Sequence, residues 1–177
     1  MNKKINLVLK CLVLALVLSS LFITSAPAFA GIPNSGLVAI LAAGWSDLHA
    51  ATVTSIMARE FMANGYRVVA PDILAAIRRH SEASAALSGN ANAIKALSAQ
   101  YGFSSIVTAQ VEAGWPVENE FKLFTGTSSI AVMAMNSDGE MIYADTAMGR
   151  QVGYTPDEAA QKSMEAAAQS AVQRMIR

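Results

Sequence analysis

The opening thirty residues constrain this chain more than any other feature, because they decide where the rest must fold. Lys3, Lys4 and Lys10 make a basic start, Cys11 to Leu18 is an unbroken apolar run, and Ala28-Phe29-Ala30 places small residues where a signal peptidase reads. Residues 1–30 are therefore expected to be a cleavable secretory signal, with one extracytoplasmic domain over residues 31–177. Cys11 is the one cysteine, so the mature part has no disulfide and no thiolate metal site to hold it together. It must fold on its core alone. An uncleaved anchor over Leu7 to Ile23 is the rival reading, but that stretch is short for a hydrocarbon layer and a polar, proline-bearing region follows it. Cys11 follows Val8-Leu9-Lys10, which is not the small-residue setting of a bacterial lipobox. The brevity of the leader and the lack of an Asn-x-Ser/Thr acceptor suit a bacterial envelope, and the expected location is periplasmic or secreted.

Without the leader's three lysines, ten basic residues face thirteen acidic ones, a net of −3. That balance argues against nucleic acid or anionic lipid as the main partner. The alanine- and methionine-rich remainder is long enough to bury a core, and no second apolar stretch could span a membrane after cleavage.

Leu37 to Ala43 is continuously apolar between glycines, the pattern of a central strand covered on both faces. Ser46 then caps a helix carrying Val53, Ile56, Met57 and Phe61, stopped by Asn64-Gly65. Tyr66 to Ala70 reads as a short strand closed by Pro71-Asp72, and Ile73, Leu74 and Ile77 mark another helix. Ser81 to Asn92 reads as a broken helix or loop before Ile94, Leu97 and Tyr101 resume a helix ending at Gly102. Phe103 to Glu112 is a strand, broken by Gly114-Trp115-Pro116. Phe121 to Met135 and Glu140 to Thr146 flank the turn Asn136-Ser137-Asp138-Gly139 as an antiparallel hairpin. Thr155-Pro156-Asp157-Glu158 is a capping box that opens a closing helix with Ala160, Met164, Ala167, Ala171 and Met175 on its inner face. The expected fold is α/β, a mixed β-sheet in the order β-α-β-α-α-β-β-β-α with helices packed on the sheet.

Three strings carry a resemblance: Gly65-Tyr66-Arg67-Val68-Val69; Leu97 through Val107, where a helix feeds a strand; and the Asp138-Gly139 hairpin followed by Gly153 and an alanine-rich helix. Over residues 36–176 the chain resembles the extracytoplasmic α/β superfamily of the curli secretion protein CsgG, the penicillin-binding-protein activator LpoB, the amino-terminal domain of TolB and the middle domain of FlgT. The resemblance implies an accessory or assembly factor that binds envelope proteins or builds oligomers. It carries over no catalytic set. The chain departs from the secretion-channel and activator members in lacking a lipobox, and the lack of an obvious long amphipathic membrane hairpin argues against a pore function.

His49 and His80 are the two histidines, and a hydrolase could pair one with Ser46 or Ser81, yet no Gly-x-Ser-x-Gly or Ser-x-x-Lys setting accompanies them. His80 after Arg78-Arg79 is more simply a cationic helix end. Glu118 and Glu120 could hold a cation weakly, but a solvated loop face explains them better, and Gly126 between Thr125 and Thr127 reads as a strand irregularity. No metal or cofactor site is expected. The sharper candidate is one edge of the sheet: Trp45 follows the first strand, Trp115 the third, and Pro71-Asp72 the second, so parallel strands would bring all three loops together. Trp45, Ser46, Asp72 and Trp115 are thus the candidate partner or ligand contacts, for an envelope protein, for a second copy, or alternatively for a small molecule or glycan. Against this stands the reading that both indoles merely cap the core. The methionines Met57, Met62, Met133, Met135, Met141, Met164 and Met175 phase as core, although a pliable binding face is the rival. In the hairpin, Ala131, Met133 and Met135 alternate with Ile130, Val132 and Ala134, leaving neither side polar, so a partner subunit or the chain itself should cover both.

Overall fold

Strand β1 (Leu37–Gly44) is apolar at nearly every position because both of its faces are roofed, and the fold follows from what supplies the two roofs. The computed structural model describes residues 31–177; the expected leader, with Cys11 and the Leu7 to Ile23 stretch, lies outside them. The order is β1, α1 (Asp47–Ala63), β2 (Arg67–Val68), α2 (Pro71–Arg79), α3 (Ala83–Leu87), α4 (Ala91–Tyr101), β3 (Ser105–Ala113), β4 (Val117–Glu118), β5 (Phe124–Asn136), β6 (Met141–Gly153) and α5 (Pro156–Met175). The sheet runs β2-β1-β3-β5, with β6 and the short β4 also on β5. β1 pairs parallel with β2 and β3, and the pairs of β5 are antiparallel, so the sheet is mixed as expected.

Side chains alternate along each strand, so each strand feeds two cores. Ile40, Val107, Ala109, Ile130 and Val132 meet Val53, Met57 and Phe61 of α1 and Met164, Ala167 and Met175 of α5. On the other face Ala39, Leu41, Ile106 and Met135 meet Leu74, Ile77, Ala86, Ile94 and Leu97 from α2, α3 and α4. Ser46 Oγ accepts the His49 amide at 3.2 Å as the cap of α1, and Gly65 (φ 84) and Gly102 (φ 71) take the left-handed turns that end α1 and α4.

Three expectations are revised and one is resolved. The strand expected over Tyr66 to Ala70 shrinks to two residues, because Pro71 has no amide for the ladder and already starts α2. Of the two readings for Ser81 to Asn92, the broken helix is the one found: it contains the short α3, whose Ala83 and Ala86 are buried on the second core. β6 runs on past Thr146 to Gly153. Gly126 is in regular register, and the sheet's irregularity falls instead at Ala134/Met135. The glycine serves close approach: a Cβ there would overlap the Ala159 carbonyl of α5 and stand 2.9 Å from the Ala160 nitrogen.

Of the methionines, Met57, Met135, Met164 and Met175 are core, whereas Met62 and Met141 are exposed. Within the hairpin Ile130, Val132 and Ala134 are buried under the helices, while Ala131 on the opposite face is exposed and Met133 only half-buried. The chain therefore covers one side of its hairpin and leaves much of the other bare. Among the described residues no helix is long and apolar enough to cross a membrane.

Candidate functional site

Parallel pairing of β1 and β3 sets Gly44 opposite Val111, so both strands run out at the same edge and their loops leave together. The indoles of Trp45 and Trp115 meet edge to face there, centroids 5.8 Å apart and planes at 85°. They do not cap the core: Trp45 is 73% and Trp115 78% exposed. Large apolar groups held in water in this way are unusual and point to contact. Ser46, beside Trp45, has its hydroxyl committed to the helix cap, which is a structural role rather than that of a nucleophile.

The neighbouring loops add further apolar side chains to the same end. After Trp115 and Pro116, β4 continues along β5, with Val117 opposite Thr125, and β6 brings Val152 opposite Thr125 from the other side. The β4–β5 turn is fixed by Asn119, whose Oδ1 accepts the amides of Phe121 at 2.9 Å and Leu123 at 3.1 Å, with Lys122 in the left-handed region (φ 61). This turn holds Phe121 out at 73% exposure. Tyr154 stands just before the Thr155 cap, where an apolar residue commonly packs back on the fourth helical position. That position is Ala159, which is fully buried with its backbone close against Gly126 and Gly153, and Tyr154 is left 78% exposed.

Between the two indoles and the start of α5 lies an open cleft of about 270 Å³, bordered by His49, Pro116, Pro156 and Asp157. Asp47, Glu118, Glu120 and Asp157 surround the apolar groups, and the one lysine in the turn, Lys122, pairs with Glu118 at 3.5 Å. The edge is therefore apolar at its centre and acidic at its rim.

Asp72 does not join it. β2 ends opposite Val38, near the start of β1, roughly 20 Å of strand from Gly44 at about 3.3 Å per residue. Asp72 sits instead in the first turn of α2. His80 is also apart: its Nδ1 accepts the Glu82 amide at 3.2 Å and its ring lies against Tyr101. Among the described residues no three His, Cys, Asp or Glu side chains converge as metal ligands.

Phe121, Tyr154, Leu48 and Val117 were not singled out in the sequence, although all are exposed at this end. The readable signals were an aromatic inside a turn built by Asn119, and an aromatic before a helix cap whose fourth position is only alanine.

The lipoprotein GNA1162 from Neisseria meningitidis has a similar fold at 14% identity, covering 78% of this chain and 96% of that one, with a TM-score of 0.52. The PelC dodecamer from Paraburkholderia phytofirmans is similar at 10% identity over 84% of this chain and 94% of its own, also with a TM-score of 0.52. The LpoB C-terminal domain from Salmonella enterica aligns over 64% of this chain and 81% of its own at 12% identity, but its TM-score of 0.39 is too remote to argue from. No curated protein matches the chain. The extracytoplasmic α/β likeness read from the sequence holds at the level of the fold. The TP0693-like lipoprotein C-terminal-domain family matches residues 46–176, most of the chain, and the protein belongs to that family of envelope-associated lipoprotein domains.

Proposed function

We propose that this protein is a non-enzymatic accessory or assembly factor of the bacterial envelope, exported by a leader cleaved before Gly31, and that it works by gripping another envelope protein at its aromatic edge. The observation that carries the reading is the exposed Trp45–Trp115 pair, extended by Phe121 and Tyr154. Aromatic anchors with an apolar centre and a polar rim are what protein contacts use. The acidic rim of Asp47, Glu118, Glu120 and Asp157 selects a partner with basic residues flanking its apolar anchor. No catalytic step is assigned, since Ser46 is used as a cap and His49 borders the cleft without a nucleophile setting.

A photocrosslinker placed at Phe121 in intact cells tests this. It should capture one discrete envelope protein, and the adduct should vanish when Trp45 and Trp115 are both replaced by alanine. An adduct pattern indifferent to both indoles would remove the proposal. The concave corner of about 270 Å³ favours a second reading, a small-molecule or glycan module at the same indoles. In that case cell-wall fragments should shift the indole fluorescence with saturation, and the crosslinked protein should be missing.

A further inference from the structure

The bare half of the sheet lies on the face opposite α5. Helices α2, α3 and α4 roof this face over β2, β1, the start of β3 and the end of β5 at Met133 and Met135, and stop there. Beyond them Ala131 on β5 and Ala144, Thr146 and Met148 on β6 point away from α5 and are exposed, uncovered by any of the described residues, and Met148 is 75% exposed. Apart from Met148 and the exposed Gln110, its side chains are mostly small alanine, serine and threonine, so another sheet can approach to the ordinary spacing of stacked sheets, about 10 Å.

Two charges stand on this face, and they are of opposite sign. Glu112 of β3 is level with Ser129 of β5 and Met148 of β6; Arg150 of β6 is level with Thr127 of β5. They are therefore two strands and two residues apart, about 12 Å for strands roughly 4.8 Å apart rising about 3.4 Å per residue. Both are exposed, and among the described residues neither takes part in an ion pair. An acidic partner would satisfy Arg150 and repel Glu112; a basic one would do the reverse. The surface that answers both is the same surface turned over.

We infer that two copies of this chain stack through this face about a two-fold axis lying between the sheets near Ser129, with Glu112 of each copy over Arg150 of the other. Rotation about that axis exchanges the two charged positions, so a single contact geometry makes both ion pairs at once. The contact adjoins the aromatic edge, since Glu112 lines a cleft with Trp45, but it does not use the indoles, and it stands whether or not they bind a partner.

The full chain, exported and processed by its host, is followed by sedimentation equilibrium. The parent protein should dimerise reversibly. Glu112→Arg and Arg150→Glu should each weaken self-association at least about tenfold, because each brings like charges face to face twice. Mixing these two variants should form a heterodimer tighter than either variant alone, since one then offers two arginines and the other two glutamates. The double variant should regain association. A parent protein that stays monomeric at every concentration, single variants that associate as the parent does, or a mixture no tighter than its parts would each overturn the inference. Association that survives the charge changes but is lost with Trp45→Ala and Trp115→Ala would move the contact to the aromatic edge and equally refute it.

Discussion

Asp145 holds together three neighbours from different parts of the chain. Its Oδ1 accepts the Thr146 amide at 2.7 Å, and its Oδ2 accepts from Arg174 of α5 at 3.2 Å and from the Tyr143 hydroxyl at 3.1 Å. Partial burial pulls its carboxyl upward, but the Thr146 amide, Arg174 and Tyr143 together outweigh that and hold it below the usual carboxylate value. Burial, followed by the hydrogen bond to Asp145, raises the Tyr143 hydroxyl in turn. A carboxyl whose pKa is lowered on folding adds stability that is complete above its unfolded pKa and disappears as the pH falls through its folded one. Between about pH 6 and about pH 3 the parent protein should therefore lose more unfolding free energy in urea than Asp145→Asn does. Parallel acid limbs for the two proteins would mean that the cluster contributes nothing to folding. None of this was legible in the sequence, where Asp145 is one polar residue in a strand and Arg174 lies far along the chain; only the pairing of β6 with β5 beneath α5 brings them together.

Helix α5 is built at both of its interfaces from what is missing. Its start was readable, because the Thr155 hydroxyl accepts the Glu158 amide at 3.2 Å as a capping box predicts, and Glu158 also reaches back one residue further, to the Tyr154 amide at 2.7 Å. Lys162, first, and the Tyr154 and Thr155 amides lower the Glu158 carboxyl. The seat of α5 was not readable. Gly126, Gly149 and Gly153 sit in strands where glycine is usually a weakness, so the sequence suggested an irregularity at the first and an early end to β6 before the other two. In the fold they let the helix backbone rest directly on the sheet, beside a buried Ser128–Ser163 hydroxyl contact of 2.6 Å. A Cβ at Gly149 would overlap the Ser163 carbonyl oxygen and lie 2.7 Å from the Ala167 nitrogen, backbone that no rotamer change can move. Gly149→Ala should accordingly cost about 1–3 kcal/mol or more in chemical denaturation, the range of an overpacked core. A variant as stable as the parent would show that α5 rides higher on the sheet than this seat requires. The other element starts and stops that were readable, Ser46, Gly65, Gly102 and the Asn136 turn, share one property: each works within a few residues of its own position. β2 depends on where distant neighbours let it stop, and its length was misread.

At the scale of the whole molecule the two faces of the sheet are unequally built, and this asymmetry governs both the site and its dynamics. The Trp45–Trp115 pairing was legible because parallel strands must end together, whereas the place of Asp72 was not, since it depends on where β2 stops against β1. Exposure of Phe121 and Tyr154 could not be read from residue type, which favours burial. The face under α1 and α5 is roofed by helices of 17 and 20 residues, and α5 packs along most of both β5 and β6. The opposite roof is three pieces of 9, 5 and 11 residues, and α3 buries Ala83 and Ala86 with Ala85 and Leu87 only partly covered. Beneath that roof the Thr108 hydroxyl is buried with no hydrogen-bond partner among the described residues, a cost that opening to water would relieve. Local opening takes place where apolar contacts are few and helices short, so α2 and α3 should open as a unit while β3, β5 and α5 stay closed. Native-state hydrogen exchange should find the amides of Leu74, Ile77 and Ala86 exchanging at a clearly lower free energy than those of Val107, Val132 and Ala168, with the gap closing only as global unfolding takes over in denaturant. Equal protection on the two faces would mean that the short helices are held as firmly as α5. Such an opening would uncover Leu41, Ile106 and Met135 next to the face that already carries Glu112 and Arg150, so a partner stacked there would slow exchange in α2 and α3 without touching either helix.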